Sequence, residues 1–105
     1  MKIKKESFLE MGLLELFQEK TGNVNLKFGT VTIAPGERIP KEGFSLHEEN
    51  EYAVIIEGEV EGESGGQAFH TPANCSTFIP AGEAHWTKNI GDKPCRVVWV
   101  LLKEQ

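Results

Sequence analysis

The 105-residue sequence has no cluster of basic residues and no long hydrophobic run. Lys and Arg number 11 against 16 Asp and Glu, which gives a formal net charge of −5 at pH 7. We expect no nucleic-acid partner, because binding the phosphate backbone needs a basic surface. The longest apolar stretch, residues 97–102, is far shorter than the roughly 20 residues of a bilayer-spanning helix, so we expect no membrane partner either.

Cysteine is scarce, and the sequence shows no recognisable export signal. Cys75 and Cys95 lack a metal-type spacing, so they predict either one disulfide or two free thiols. Residues 1–7 carry charge but lead to no apolar stretch with a small-residue cleavage site. Cytoplasmic residence is therefore our expectation, and free buried thiols are the favoured state of the two cysteines.

Residues 1–24 form an N-terminal segment with two competing interpretations. Ser7 and Glu10 have the spacing of a helix capping box. Apolar residues then recur at helical spacing: Phe8, Met11, Leu14 and Phe17. This pattern predicts a short helix, but Gly12 would lie inside it at a cost of about 1 kcal/mol relative to alanine. The alternative is an edge strand over residues 14–17.

Residues 25–105 have the pattern of a single β-domain. Val24, Leu26 and Phe28 alternate with polar residues, and the parity of the apolar positions changes at Gly29, which indicates a bulge. Further short strands are predicted at residues 52–56, 67–70, 77–79, 84–87 and 96–102. Turns rich in Gly and Pro separate them, which is typical of an all-β sandwich or barrel. The last strand is apolar at consecutive positions, so both of its faces should be covered.

His47, Glu51 and His85 are the residues that point to chemistry. Four residues of one parity should face the same side of an extended segment: Ser45, His47, Glu49 and Glu51. Ala53 and Ile55 follow on that side, so this face should be a hydrophobic cavity with polar groups at its entrance. Two imidazoles and a carboxylate suit iron, zinc, manganese or nickel, with positions left open for water, substrate or oxygen.

The two segments around these residues resemble the conserved motifs of the cupin superfamily. Residues 51–58 match the second half of the first motif, and His47 occupies the place of its second histidine. The second motif, Pro-x-Gly-x-x-His-x-x-x-Asn, is matched at Pro80, Gly82, His85 and Asn89. Two positions depart from the family pattern, because Ser45 replaces the first histidine and Cys75 stands where an aspartate is common.

The resemblance is to small single-domain cupins of the conserved-barrel type, and it implies a double-stranded β-helix, or jelly-roll barrel. This barrel would be all-β apart from the possible N-terminal helix. The implied metal site consists of His47, Glu51 and His85, completed by water, and holds a divalent transition metal. Asn74 occupies a family glycine position, which asparagine tolerates because it can adopt a left-handed backbone. Small single-domain cupins commonly pair, so a homodimer is expected.

Two functions fit this site. The first is a metal-dependent enzyme of oxygenase, isomerase or lyase type that acts on a small metabolite. The second is a non-catalytic module that senses or sequesters a small ligand with a degenerate metal site. Ser45 in place of a histidine gives weight to the second. Glu49 has the same parity as His47 and Glu51, so it is a candidate auxiliary acid–base group. His70 lies outside the motifs and is expected away from the site.

The aromatic residues near the motifs are expected to pack in the core. This applies to Phe44, Tyr52, Phe78, Trp86 and Trp99. Tyr52 and Trp86 have the opposite parity to Glu51 and His85, so both should face away from the metal. Asn89 is expected to serve as a turn residue rather than as a contact to a ligand.

Overall fold

The computed structural model describes residues 1–104 and contains no helix within them. The nine strands are β1 (Gly12–Thr21), β2 (Val24–Ile33), β3 (Arg38–Ile39), β4 (Asn50–Glu57), β5 (Glu59–Ser64), β6 (Gln67–Pro72), β7 (Ser76–Ile79), β8 (His85–Asn89) and β9 (Cys95–Glu104). They form a five-stranded sheet of order β1-β2-β9-β4-β7 and a four-stranded sheet of order β3-β8-β5-β6. The predicted all-β barrel is confirmed. No described segment is a helix long and apolar enough to span a membrane.

The predicted N-terminal helix is wrong, and the competing edge strand is present. Strand β1 pairs with β2 at the edge of the five-stranded sheet, with a bulge between Glu15 and Phe17. The bulge inserts one residue, so Leu14 and Phe17 fall on the same face although they are three positions apart. A bulged strand therefore produced the spacing of a helix. The bulge lies in β1 opposite Gly29, and β2 itself pairs with β9 without a register shift.

The N-terminal segment crosses the outer face of β2 before it enters β1. The Thr30 hydroxyl donates to the carbonyl of Ser7, and the Thr32 hydroxyl donates to the carbonyl of Leu9 over 2.8 Å. Both threonines are buried as a result. This cover explains why β2 carries apolar residues on both faces and why their parity did not identify a single core face. The homodimer stays a prediction.

The closed end of the barrel holds the main hydrophobic cluster, which consists of Ile33, Ile55, Val60, Cys95 and Val97. Cys75 and Cys95 are both free thiols, as predicted. The expected burial is found for Cys95, whereas Cys75 is only half-buried. Burial raises the pKa of the Cys95 thiol to about 11, and the nearby Glu57 carboxylate acts in the same direction. Asn74 has a φ of 72°, so the left-handed backbone expected there is present.

The prediction that five aromatic residues pack in the core is wrong for three of them. Trp99 is buried, whereas Phe44, Tyr52 and Phe78 are 55%, 43% and 54% exposed. Tyr52 and Phe78 are register partners on β4 and β7, and their ring centroids lie 5.0 Å apart. They pack on each other on the outer face of the sheet, which the N-terminal segment does not reach. Trp86 is half-buried, with the Arg38 guanidinium 4.5 Å above its ring.

Candidate metal and ligand site

Backbone hydrogen bonds bring together the two segments that carry the candidate metal ligands, at the open end of the barrel. Ser45 and His85 form an antiparallel bridge, with the Ser45 amide donating to the His85 carbonyl over 2.7 Å and the reverse bond at 3.0 Å. The Gly82 amide donates to the His47 carbonyl over 2.9 Å. The turn that precedes β8 is therefore held against the segment that leads into β4. This contact places the histidines of the two motifs next to each other.

His47, Glu51 and His85 converge on one point. One ligand atom from each lies within 4.8 Å of the others. The two imidazole centroids are 5.0 Å apart with an interplanar angle of 77°, and His47 Nε2 lies 3.6 Å from Glu51 Oε1. Two imidazole nitrogens and a carboxylate oxygen at these separations suit a divalent transition metal, since such ions take N and O ligands at about 2.0–2.2 Å.

Each imidazole is held in the tautomer that metal binding needs. His47 Nδ1 lies 3.0 Å from the Glu49 carbonyl oxygen, and His85 Nδ1 lies 2.9 Å from the Glu83 carbonyl oxygen. A carbonyl only accepts, so each Nδ1 carries a proton, and in the neutral ring each Nε2 then presents a lone pair. This arrangement fixes ring orientation in the way that outer contacts do in metal sites. The donor set therefore fits the metal that the family resemblance implies.

Ser45 lies beside His85 at the mouth of the barrel, where the family pattern has a further histidine. A neutral hydroxyl is a weak ligand for iron, zinc, manganese or nickel. The site consequently offers three protein ligands and leaves the remaining positions for solvent or a bound molecule. A three-ligand set with an open position is the arrangement of catalytic rather than closed structural metal sites.

Glu83 is a site residue that the sequence reasoning missed. Its carboxylate accepts a 2.6 Å hydrogen bond from the Ser64 hydroxyl and lines the same cavity as the histidines. Its backbone carbonyl also fixes the His85 ring. The available signal was parity, because Glu83 lies two positions before His85 and should face the same side.

Two other predictions have different outcomes. Glu49 holds His47 through its backbone carbonyl, and its carboxylate oxygen lies 3.9 Å from His47 Nδ1, but its side chain does not line the cavity. His70 lies outside the site, as predicted. Its ring is paired with Glu59 at 2.8 Å on an exposed part of the four-stranded sheet.

A cavity of about 580 Å³ lies between the two sheets, directly below the three candidate ligands. Six residues of one parity were expected on the same side, and five of them line this cavity: Ser45, His47, Glu51, Ala53 and Ile55. Glu49 is the exception. The volume is within the roughly 300–1,000 Å³ of small-molecule sites. The predicted hydrophobic cavity with a polar entrance is therefore present.

The polarity of the cavity changes along the barrel axis. The four-stranded sheet lines the cavity with three cross-strand rows of residues. The row at the mouth is Ser64, His85 and Gln67, the next is Gly62, Thr87 and Phe69, and the innermost is Val60 and Thr71. On the facing sheet, Glu51 is followed by Ala53 beside Trp99, and then by Ile55 beside Val97. The ionisable groups are at the mouth, and the inner part is mostly apolar, with the neutral hydroxyls of Thr87 and Thr71 on the four-stranded sheet.

Two glycines allow aromatic rings to lie against the sheets around the cavity. A Cβ atom at Gly29 would come within 2.4 Å of Trp99 Cζ2, and one at Gly62 would come within 2.9 Å of Phe69 Cζ. The Trp99 and Phe69 rings therefore occupy the space that side chains at these positions would take. The five-stranded sheet contributes Trp99 to the cavity wall and the four-stranded sheet contributes Phe69.

The cupin-domain family model matches residues 29–101 of the chain. The chain belongs to the cupin family. The match covers both motifs and all three candidate ligands, and it begins within β2. The family resemblance noted in the sequence is confirmed, together with the barrel fold.

Comparisons with a curated protein and with solved structures agree with this assignment, and the solved structures show the same fold. The chain is 33% identical over 73 residues to the polyketide synthase CurC of Streptomyces cyaneus, covering 70% of this chain and 46% of that protein. The cupin thus spans about half the length of that relative. A Bacillus halodurans structure has a TM-score of 0.76 at 21% identity, with 92% of this chain and 74% of that chain covered. A predicted oxalate decarboxylase of Thermotoga maritima has a TM-score of 0.68 at 19% identity, with 96% and 97% covered.

Proposed function

We propose that this cupin binds a divalent transition metal through His47, Glu51 and His85 and acts on a small organic molecule held in the cavity below it. The observation that carries the proposal is the pair of free Nε2 lone pairs, each fixed by a backbone carbonyl, that converge with Glu51 on one point. The backbone contacts orient both rings so that these lone pairs are available to a metal ion.

The metal, when bound, would supply Lewis-acid activation of water, dioxygen or a carbonyl group at the mouth of the cavity. The chain's own residues would do the rest. The apolar wall excludes water from the inner cavity, and Glu83 holds a carboxylate at its entrance. The Ser64 hydroxyl donates to one oxygen of Glu83 and leaves the other to accept or return a proton. Glu83 is therefore the acid–base group of the proposal.

A non-catalytic ligand-binding module is the second candidate. Ser45 supports it, because loss of a usual ligand weakens a metal site without removing the cavity. Glu83 supports the enzyme, since its anchored carboxylate lines the same cavity as the candidate ligands and can exchange a proton with a bound molecule. The two candidates share the metal and the cavity and differ in whether a bound molecule is converted.

Metal analysis tests the shared part of the proposal. Protein purified without chelators or affinity tags should contain close to one equivalent of iron, zinc, manganese or nickel. His85→Ala should lose it, because one of three ligands is removed. His70→Ala is the matched control and should retain the wild-type content, as His70 pairs only with Glu59. Less than about a tenth of an equivalent in the wild type, or full retention by His85→Ala, would overturn the ligand assignment.

Glu83→Gln separates the two candidates. This change keeps the size of the side chain and an acceptor for Ser64 but removes proton transfer. If the cupin is an enzyme, Glu83→Gln should bind the metal and the ligand normally and turn the ligand over at least about 100-fold more slowly. A bound ligand recovered unchanged from the wild-type protein would favour the binding module.

A further inference from the structure

The cavity wall contains no positively charged side chain. Glu51 and Glu83 contribute carboxylates at its mouth, and among the described residues that line it there is neither Lys nor Arg. Cations in nearby segments are engaged elsewhere. Arg38 donates to two backbone carbonyls and covers Trp86, and Lys103 is paired with Glu48.

An anionic ligand would therefore have no oppositely charged partner in the inner cavity, where the polar groups are neutral: the hydroxyls of Thr71 and Thr87 and the indole N–H of Trp99. Moving a carboxylate from water into apolar surroundings is costly unless it is paired or hydrogen-bonded. A divalent metal bound by Glu51 would keep one net positive charge, and Glu83 would offset it. An anionic group far from the metal would then meet only neutral side chains, among them Ile55, Val60 and Val97.

The shape of the cavity points to a ring-containing ligand. Trp99 and Phe69 line it from opposite sheets, and each ring takes the space left by a glycine. Aromatic rings pair favourably with other rings, by about 0.5–1.5 kcal/mol beyond the area they bury. The volume of about 580 Å³ holds a bicyclic compound, which is far larger than a two-carbon acid such as oxalate.

Resting on the proposed function, we infer that the site takes an uncharged, largely apolar ring compound that presents one hydroxyl or carbonyl oxygen to the metal position. Small dicarboxylates are not its ligands. This distinguishes the cupin from the activity named for the Thermotoga maritima protein of similar fold.

The test uses a pair of naphthalene probes that differ in charge and in one methyl group. Methyl 6-hydroxy-2-naphthoate is neutral, and 6-hydroxy-2-naphthoate carries a carboxylate; oxalate is the third probe. Their affinities for the Co²⁺-loaded cupin are measured by calorimetry. We expect the ester to bind at least about tenfold more tightly than the acid, with oxalate weakest. Binding of the acid or oxalate as tightly as the ester, or no binding of the ester at 1 mM, would overturn the inference.

A designed cation tests whether charge is the cause. Gln67 is exposed and lies in the row of Ser64 at the mouth, so Gln67→Arg places a guanidinium beside the cavity. It should reduce the preference for the ester at least about fivefold. Gln18→Arg makes the same change on β1, outside the cavity, and should leave the preference unaltered. Equal preferences in the two variants would contradict the inference.

The same titrations are repeated without metal so that the two proposals fail separately. Loss of the Co²⁺ absorption spectrum with a retained preference for the ester would reject the metal site and keep the ligand class. Stoichiometric Co²⁺ binding without a preference for the ester would reject the ligand class and keep the metal site.

Discussion

The two ends of β8 place polar side chains in the barrel interior, but they differ in how completely those side chains are hydrogen-bonded. At the closed end, the Asn89 amide donates to the carbonyls of Ile33 and Lys93 and accepts from the Gly91 amide, all within 2.9 Å. At the open end, His85 uses one ring nitrogen and leaves the other free. The comparison teaches that burial alone does not separate a structural polar residue from a candidate site residue, whereas its hydrogen-bond partners do.

This difference also separates the two matched residues of the second motif. His85 and Asn89 are four positions apart on one strand and face the same interior. Asn89 has the full set of partners that its position allows, so it stabilises the loop between β8 and β9. These hydrogen bonds give Asn89 the turn role that was expected of it.

The largest effect is expected at the closed end. Asn89→Ala would remove three hydrogen bonds and leave two carbonyls and an amide without partners in a buried place. The free energy of unfolding should fall by about 3 kcal/mol. Urea denaturation measures the change, and Asn23→Ala in the exposed β1–β2 turn should stay within about 0.5 kcal/mol. A loss of less than about 1 kcal/mol for Asn89→Ala would show that these bonds add little.

At the open end, metal rather than protein should supply the missing partners. A metal at 100 times its Kd should raise the free energy of unfolding by about 2.7 kcal/mol. Thermal unfolding with and without excess Zn²⁺ measures this gain, which His85→Ala should lose and His70→Ala should keep. An equal gain in wild type and His85→Ala would place the metal elsewhere.

The buried Cys95 thiol makes the closed end sensitive to alkaline pH. The pKa of Cys95 is raised from 9.0 to about 11, so the unfolded chain ionises at lower pH than the folded one. This contribution to stability is present below pH 9 and is lost as pH rises through about 11. At pH 10 the wild type should therefore have lost about 1.4 kcal/mol more than Cys95→Ala, relative to pH 7.5.

Comparison of urea unfolding at the two pH values measures this loss. Cys75→Ala is the control, since Cys75 is only half-buried. The prediction fails if Cys95→Ala and wild type lose stability equally between pH 7.5 and pH 10.

The smallest change in the free energy of unfolding is expected for His70, which lies outside both the candidate site and the closed-end cluster. The His70 pair with Glu59 is more than half exposed on the histidine side, and exposed ion pairs contribute about 0–1 kcal/mol. His70→Ala should change the free energy of unfolding by no more than about 0.5 kcal/mol in urea. A larger loss would mean that the four-stranded sheet depends on this contact.

The sequence predicted the cavity well because parity is a local property. Ser45, Glu51 and Ile55 line the same space, as alternation requires. Glu83 was within reach of the same argument and was overlooked because it lies in a turn. The tautomers of His47 and His85 were not predictable, since each depends on a carbonyl that only the folded turn brings near the ring.

The wrong predictions concern strands whose pairing and burial depend on other parts of the fold. Leu14 and Phe17 have helical spacing, but a single bulged residue gives a strand the same spacing. Tyr52 and Phe78 are large and apolar, so they were assigned to the core, but they pack on each other on the outer face. Whether a sheet face is covered is a tertiary property, and no local pattern in β4 or β7 records it.

Gly29 and Gly62 limit how this pocket could be remodelled. A methyl group at Gly62 would lie 1.9 Å from the Trp86 carbonyl oxygen, and one at Gly29 would lie 2.3 Å from the Leu14 carbonyl oxygen. Neither backbone can retreat without breaking its sheet. Redesign for a smaller guest must therefore act at Ala53 or Thr77, whose side chains already face the empty space. The backbone at Gly29 and Gly62 is fixed, whereas the side chains at Ala53 and Thr77 can be changed. A library of variants for altered ligand selectivity should therefore vary only Ala53 and Thr77.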